Sequence, residues 1–76
     1  MYREILEELG LSPNEAKIYL ALIEIGASSV PQISVKTGIH KRNIYDTIPR
    51  LLQKGIIYQI AESKENKYAP VEPKKL

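Results

Sequence analysis

The chain has 76 residues, a net charge of +2, no cysteine, and no apolar run near the roughly 20 residues that a membrane-spanning helix needs. That length suits one small domain, burying about 60% of the surface its unfolded form exposes, and without cysteine neither a disulfide framework nor a thiolate metal site is available. The N-terminus, MYREILEELG, is acidic and amphipathic rather than a signal peptide, so a cytoplasmic protein with no membrane partner is expected.

The charge is unevenly spread. The first 25 residues carry two basic against five acidic side chains, and the remaining residues nine against four. A basic C-terminal two-thirds suits a polyanion partner for one face, and equally suits a solvated surface.

In chain order, Tyr2, Ile5, Leu6 and Leu9 share one face of a predicted short helix that Gly10 ends. Ser12-Pro13-Asn14-Glu15 then supplies an N-cap serine, a proline at the first helical position and a glutamate placed to close a capping box. A helix from Pro13 to Ile25 follows, apolar around most of its circumference and predicted to be the pillar of the core. Gly26 is positioned to stop it in a left-handed C-cap. Ala27 and Ser28 suggest a short extended segment before Ser29-Val30-Pro31-Gln32, a second capping box. The helix it starts, about Val30 to Thr37, turns Val30, Ile33, Ser34 and Thr37 inward. Gly38 closes it, with Ile39 packing back as in a Schellman motif.

Between Gly38 and Gly55, Ile44, Ile48, Leu51 and Leu52 recur at the spacing of one buried helix face. A second stripe holds Asn43, Asp46, Thr47, Arg50 and Lys54, with Lys41 and Arg42 at the mouth of the helix. Such a stripe offers donors to base edges in a DNA major groove. The turn Gly38-Ile39-His40 gives the two helices the glycine placement of a helix-turn-helix. Pro49 cannot donate to the Tyr45 carbonyl and crowds it, which predicts a kink or a split into Lys41–Ile48 and Pro49–Lys54. After Gly55, Ile56 to Ala61 and Lys67 to Val71 read as a hairpin around a polar turn, Glu62 to Asn66. The domain therefore covers residues 1–71, with 72–76 as a tail or linker, in a mainly α fold with a small β-hairpin: a winged helix-turn-helix.

LGLSPNEAKIYLALIEIG, QISVKTGIHKRNIYDTI, LLQKGII and KYAPVEP are similar to the N-terminal DNA-binding domain of the TrmB-like archaeal transcriptional regulators, from about Leu9 to Pro73. MarR-like and ArsR-like domains share the general shape but not the phrase LSPNEAKIYLAL. The resemblance implies a recognition helix at Lys41 to Lys54, with Lys41, Arg42 and Asn43 at its DNA-contacting start, and a wing at Ile56 to Val71. Tyr45 matches the aromatic of the family's V-Y or I-Y pair, and is expected to pack with only its hydroxyl turned to DNA. Two departures stand out: family members are usually longer, with a C-terminal effector-binding or dimerising part, and Pro49 replaces an ordinary helix former.

Arg42 and Arg50 are therefore candidates for phosphates or guanine edges, and Asn43 and Thr47 for base readout. His40 suits an N-cap or a phosphate-facing role; a lone histidine makes no metal site. Lys64 and Lys67 flank the hairpin turn and are candidates for phosphate or the minor groove. Asp46 accepts from cytosine, marks the edge of the contact, or, as the plainest option, pairs with Arg50 four residues on. Capping explains Ser12, Glu15 and Ser29. No nucleophile motif, phosphate loop or convincing carboxylate pair appears, so neither an enzyme nor a cofactor is expected.

The expected function is sequence-specific binding of double-stranded DNA by a transcriptional regulator. A homodimer on a two-fold operator is the expected route to useful affinity, joined through the Tyr2–Leu9 face, which equally suits simply closing the core, or through a part beyond Leu76, where an effector domain is also expected. The alternative is a winged-helix protein-interaction module in transcription or nucleic-acid processing machinery, since fold alone does not fix function. RNA or single-strand binding is a third reading.

Overall fold

The computed structural model describes residues 10–62 and 65–71. Three helices, α1 (Pro13–Ile25), α2 (Val30–Thr37) and α3 (Lys41–Lys54), precede two antiparallel strands, β1 (Ile57–Glu62) and β2 (Glu65–Pro70). This order is that of a winged helix-turn-helix. The predicted helix over Tyr2–Leu9 and its dimerisation face lie outside the described residues, as do Lys64 and residues 72–76. No helix among the described residues is long and apolar enough to cross a membrane.

Local signals set the helix starts. Ser12 caps α1: its Oγ accepts from the Glu15 N–H at 3.2 Å, and its own N–H donates to Glu15 Oε1 at 2.7 Å. At α2 the Ser29 N–H donates to Gln32 Oε1 at 2.9 Å. Each reciprocal contact occupies donors that a helix end leaves without an intrahelical partner.

The helix ends diverge from one another. At Gly26 the backbone has φ 81° and ψ −165°, an extended region that is almost exclusively glycine's, rather than the expected left-handed cap. The chain must leave α1 straight for β2, where Ser28 and Tyr68 exchange backbone hydrogen bonds of 3.0 and 2.8 Å. Gly38 does adopt the left-handed conformation, with φ 78° and ψ 4°. Its N–H donates to the Ser34 carbonyl at 2.8 Å, the single bond of an αL motif in place of the expected Schellman pair. The Schellman pattern occurs instead after α3: Gly55 donates to Leu52 at 3.0 Å and Ile56 to Leu51 at 3.4 Å.

One core joins every element. Ile18 and Leu22 of α1, Ile33 of α2, and Ile44 and Leu51 of α3 are fully buried, joined by Ile57 of β1 and Tyr68 of β2. The strands run from Ile57 opposite Pro70 to Glu62 opposite Glu65, so they continue into the stretch expected to be a five-residue turn. The hairpin is tied down at its base, where Val71 N–H donates to the Ile56 carbonyl at 2.9 Å and the Tyr19 hydroxyl donates to the Val71 carbonyl at 2.9 Å. Burying Ile57 and Tyr68 against the helices gives the two-stranded sheet a support it lacks alone.

Candidate nucleic-acid interface

The turn before α3 is held by side chains of α2. Thr37 Oγ1 donates to the Ile33 carbonyl at 2.8 Å and accepts from the Ile39 N–H at 3.1 Å, while Ser34 Oγ donates to the Ile39 carbonyl at 2.7 Å. Ile39 is itself buried. Both polar groups of its backbone and its side chain are thus engaged, which sets where α3 begins. Ser34 and Thr37 were legible as inward residues but not as this clamp, because a Schellman bond would have engaged the Ile39 N–H without Thr37.

His40 is the N-cap of α3, with Nδ1 accepting from the Arg42 N–H at 3.2 Å. That bond requires Nδ1 unprotonated, so a neutral ring carries its proton on Nε2. Lys41, Arg42 and Asn43 follow, all exposed on the first turn. Arg50 is exposed a further two turns along. Lys41, Arg42 and Arg50 take no part in the ion pairs found among the described residues, Lys36–Glu24 and Lys54–Glu15. The expected Asp46–Arg50 pair is not formed; both side chains are exposed, where such a pair contributes little against the entropy of fixing it.

The outer face of α3 is turned from its expected position. Thr47 is only 9% exposed, with its hydroxyl donating to the Asn43 carbonyl at 2.7 Å, so it lies on the buried flank rather than on the expected outer stripe. Tyr45, expected to pack, is 60% exposed. Arg42, Asp46, Pro49 and Gln53 form the middle of the exposed face, flanked by Tyr45 on one side and by Asn43 and Arg50 on the other. Lys54, assigned to the outer stripe, instead donates to the Gly10 carbonyl and to Glu15 Oε1, both at 3.0 Å.

Pro49 does not divide the helix. α3 runs unbroken from Lys41 to Lys54 with Pro49 inside it. Pro49 is exposed, so the bond missing at the Tyr45 carbonyl falls on the solvent side, while buried Ile44, Ile48 and Leu51 hold the opposite side to the core. In the hairpin, Lys67 is half-buried in β2 opposite Ile60.

Glu15 and Lys54 link the ends of α1 and α3. Burial pushes the Glu15 carboxyl up, but the Ser12 N–H and the Lys54 ammonium outweigh it and hold the carboxyl below its ordinary value of 4.5. Among the described residues Oε2 is buried without a hydrogen-bond partner, so the contacts at Oε1 are the ones that stabilise the carboxylate.

A family model described as "Sugar-specific transcriptional regulator TrmB" matches residues 6–74. The chain belongs to the TrmB family. It is 34% identical over 68 residues to the HTH-type sugar sensing transcriptional regulator TrmBL1 of Pyrococcus furiosus, covering 90% of this chain and 20% of that protein. It is 27% identical over 73 residues to the uncharacterized protein YrhO of Bacillus subtilis, covering 96% of this chain and 26% of that one. The chain thus spans about a fifth to a quarter of the length of these two relatives. The fold and the family agree with the winged-helix resemblance carried by LSPNEAKIYLAL.

Proposed function

We propose that this chain is the double-stranded DNA-binding domain of a TrmB-family transcriptional regulator, acting in the cytoplasm, with α3 in the major groove and the hairpin beside it. The observation that carries this reading is the two-sidedness of α3. Ile44, Ile48 and Leu51 fasten it to the core, while Lys41, Arg42, Asn43 and Arg50 are exposed. Among the described residues, neither the two arginines nor Lys41 takes part in an ion pair that meeting phosphates would break.

In this mechanism Lys41 and the arginines neutralise phosphates and supply the salt-dependent share of affinity. Asn43, and Arg42 or Arg50 where a guanine edge is in reach, discriminate bases. His40 orders the first turn as its cap. Lys64 and Lys67 extend the contact along the wing. Thr47 supports rather than reads, holding the carbonyl of Asn43. A homodimer places two such helices on the half-sites of a two-fold operator. An effector-responsive region beyond the C-terminus is the proposed counterpart of the rest of the TrmBL1 chain.

The test is binding to mixed-sequence duplex DNA over a salt series. The phosphate contacts of Lys41, Arg42 and Arg50 alone contribute about −3 to the log–log slope per chain, the wing lysines steepen it, and Arg42→Ala reduces its magnitude by about 1 per chain. No binding at low salt by the folded chain overturns the reading.

A further inference from the structure

Tyr45 and Pro49 stand four residues apart on α3, next to one another on its surface, and both are exposed. Neither contributes to the buried core. A proline in a helix interior is costly, and here that cost is not offset by a place in the buried core. An exposed phenol ring beside an exposed pyrrolidine makes an apolar ledge on a face otherwise built of Lys41, Arg42, Asn43, Asp46, Arg50 and Gln53.

Resting on the DNA-binding reading above, we propose that the Tyr45–Pro49 ledge selects thymine through its 5-methyl group. In the major groove, base edges present donors and acceptors, and the methyl carried by thymine is the apolar group among them. Water covers both the ledge and the methyl before binding, and their contact removes that apolar surface from solvent. The ledge runs from the middle of the exposed face, at Pro49, to the flank away from Asn43 and Arg50, at Tyr45. It therefore reads a different base from those two, with Arg42 between them.

The test uses the full 76-residue chain and a duplex enriched by it from a randomised library. Each thymine is replaced singly by deoxyuridine, which removes only the methyl group. At fixed salt, at least one replacement lowers affinity about three- to tenfold, the range expected for burying one methyl and the ring surface around it. Tyr45→Phe keeps that sensitivity, because the hydroxyl is not the contact. Tyr45→Ala and Pro49→Ala each reduce it. Affinity indifferent to every replacement, sensitivity lost in Tyr45→Phe, or sensitivity undiminished in either alanine variant overturns the ledge while leaving DNA binding in place. Failure of the folded chain to enrich any duplex overturns DNA binding itself, and the ledge with it.

Discussion

Lys54→Met isolates the link between the end of α3 and the start of α1. In the native chain the Lys54 ammonium donates to the Gly10 carbonyl and to Glu15 Oε1, each at 3.0 Å. The Glu15 side chain is 4% exposed and that of Lys54 37%. Exposed ion pairs contribute up to about 1 kcal/mol, whereas removing one partner of a buried pair costs about 3–5 kcal/mol. With one member buried and the other partly solvated, we expect a loss of about 2 kcal/mol at pH 7. For a chain of this size that lowers the melting temperature by about 8–16 °C. Methionine keeps most of the aliphatic stem, so the loss reports the ammonium rather than packing. The pH dependence supplies an internal check. A carboxyl held below 4.5 contributes stability above that pH and loses it as the solution is acidified through its lowered folded value. The gap between native and Lys54→Met chains is therefore widest at neutral pH and narrows toward pH 3. Urea unfolding followed by circular dichroism at pH 7, 5 and 3 measures it. Equal stabilities at pH 7, or a gap unchanged down to pH 3, refute the reasoning.

Other perturbations give distinct expectations. Gly26 and Gly38 both have positive φ and open space where a Cβ would point, but only Gly38 is in the left-handed helical region. Asparagine is therefore tolerated at 38 within about 1 kcal/mol and costs about 1–3 kcal/mol at 26, read by thermal denaturation of the two variants. Pro49→Ala restores a donor to the Tyr45 carbonyl, and with the unfolded chain gaining freedom the net stabilisation is about 1–2 kcal/mol in urea titrations. Tyr19→Phe removes the hydroxyl that donates to the Val71 carbonyl at 2.9 Å. It should cost about 1 kcal/mol and speed amide exchange at Val71, whose N–H is bonded to Ile56.

The helix boundaries were legible because their causes are local. Ser12 and Glu15 are three residues apart, as are Ser29 and Gln32, and each pair meets as soon as its own first turn forms. The glycines after the helices marked their ends equally well, yet not their geometry. Whether the chain turns back in a left-handed cap or leaves extended depends on its next partner. For Gly26 that partner is Tyr68, more than forty residues away.

The candidate site divides in the same way. The sequence by itself determined the helix-turn-helix and hairpin order, the buried line Ile44–Ile48–Leu51, and the basic first turn of α3, since each follows from side-chain spacing and caps within one segment. Tertiary structure decided which flank of that helix is outside. Thr47 and Tyr45 lie on opposite sides of the Ile44–Ile48–Leu51–Leu52 stripe, each roughly 80° from its centre at 100° per residue, so periodicity cannot choose between them. The packed domain takes the smaller threonine, whose hydroxyl is satisfied by the Asn43 carbonyl, and leaves the tyrosine in water. Lys54 follows the same logic: its charge suited an outer stripe, but folding brings a buried carboxylate 39 positions away within its reach. Periodicity specifies a direction around one helix axis, and only the neighbours of that helix convert the direction into inside or outside.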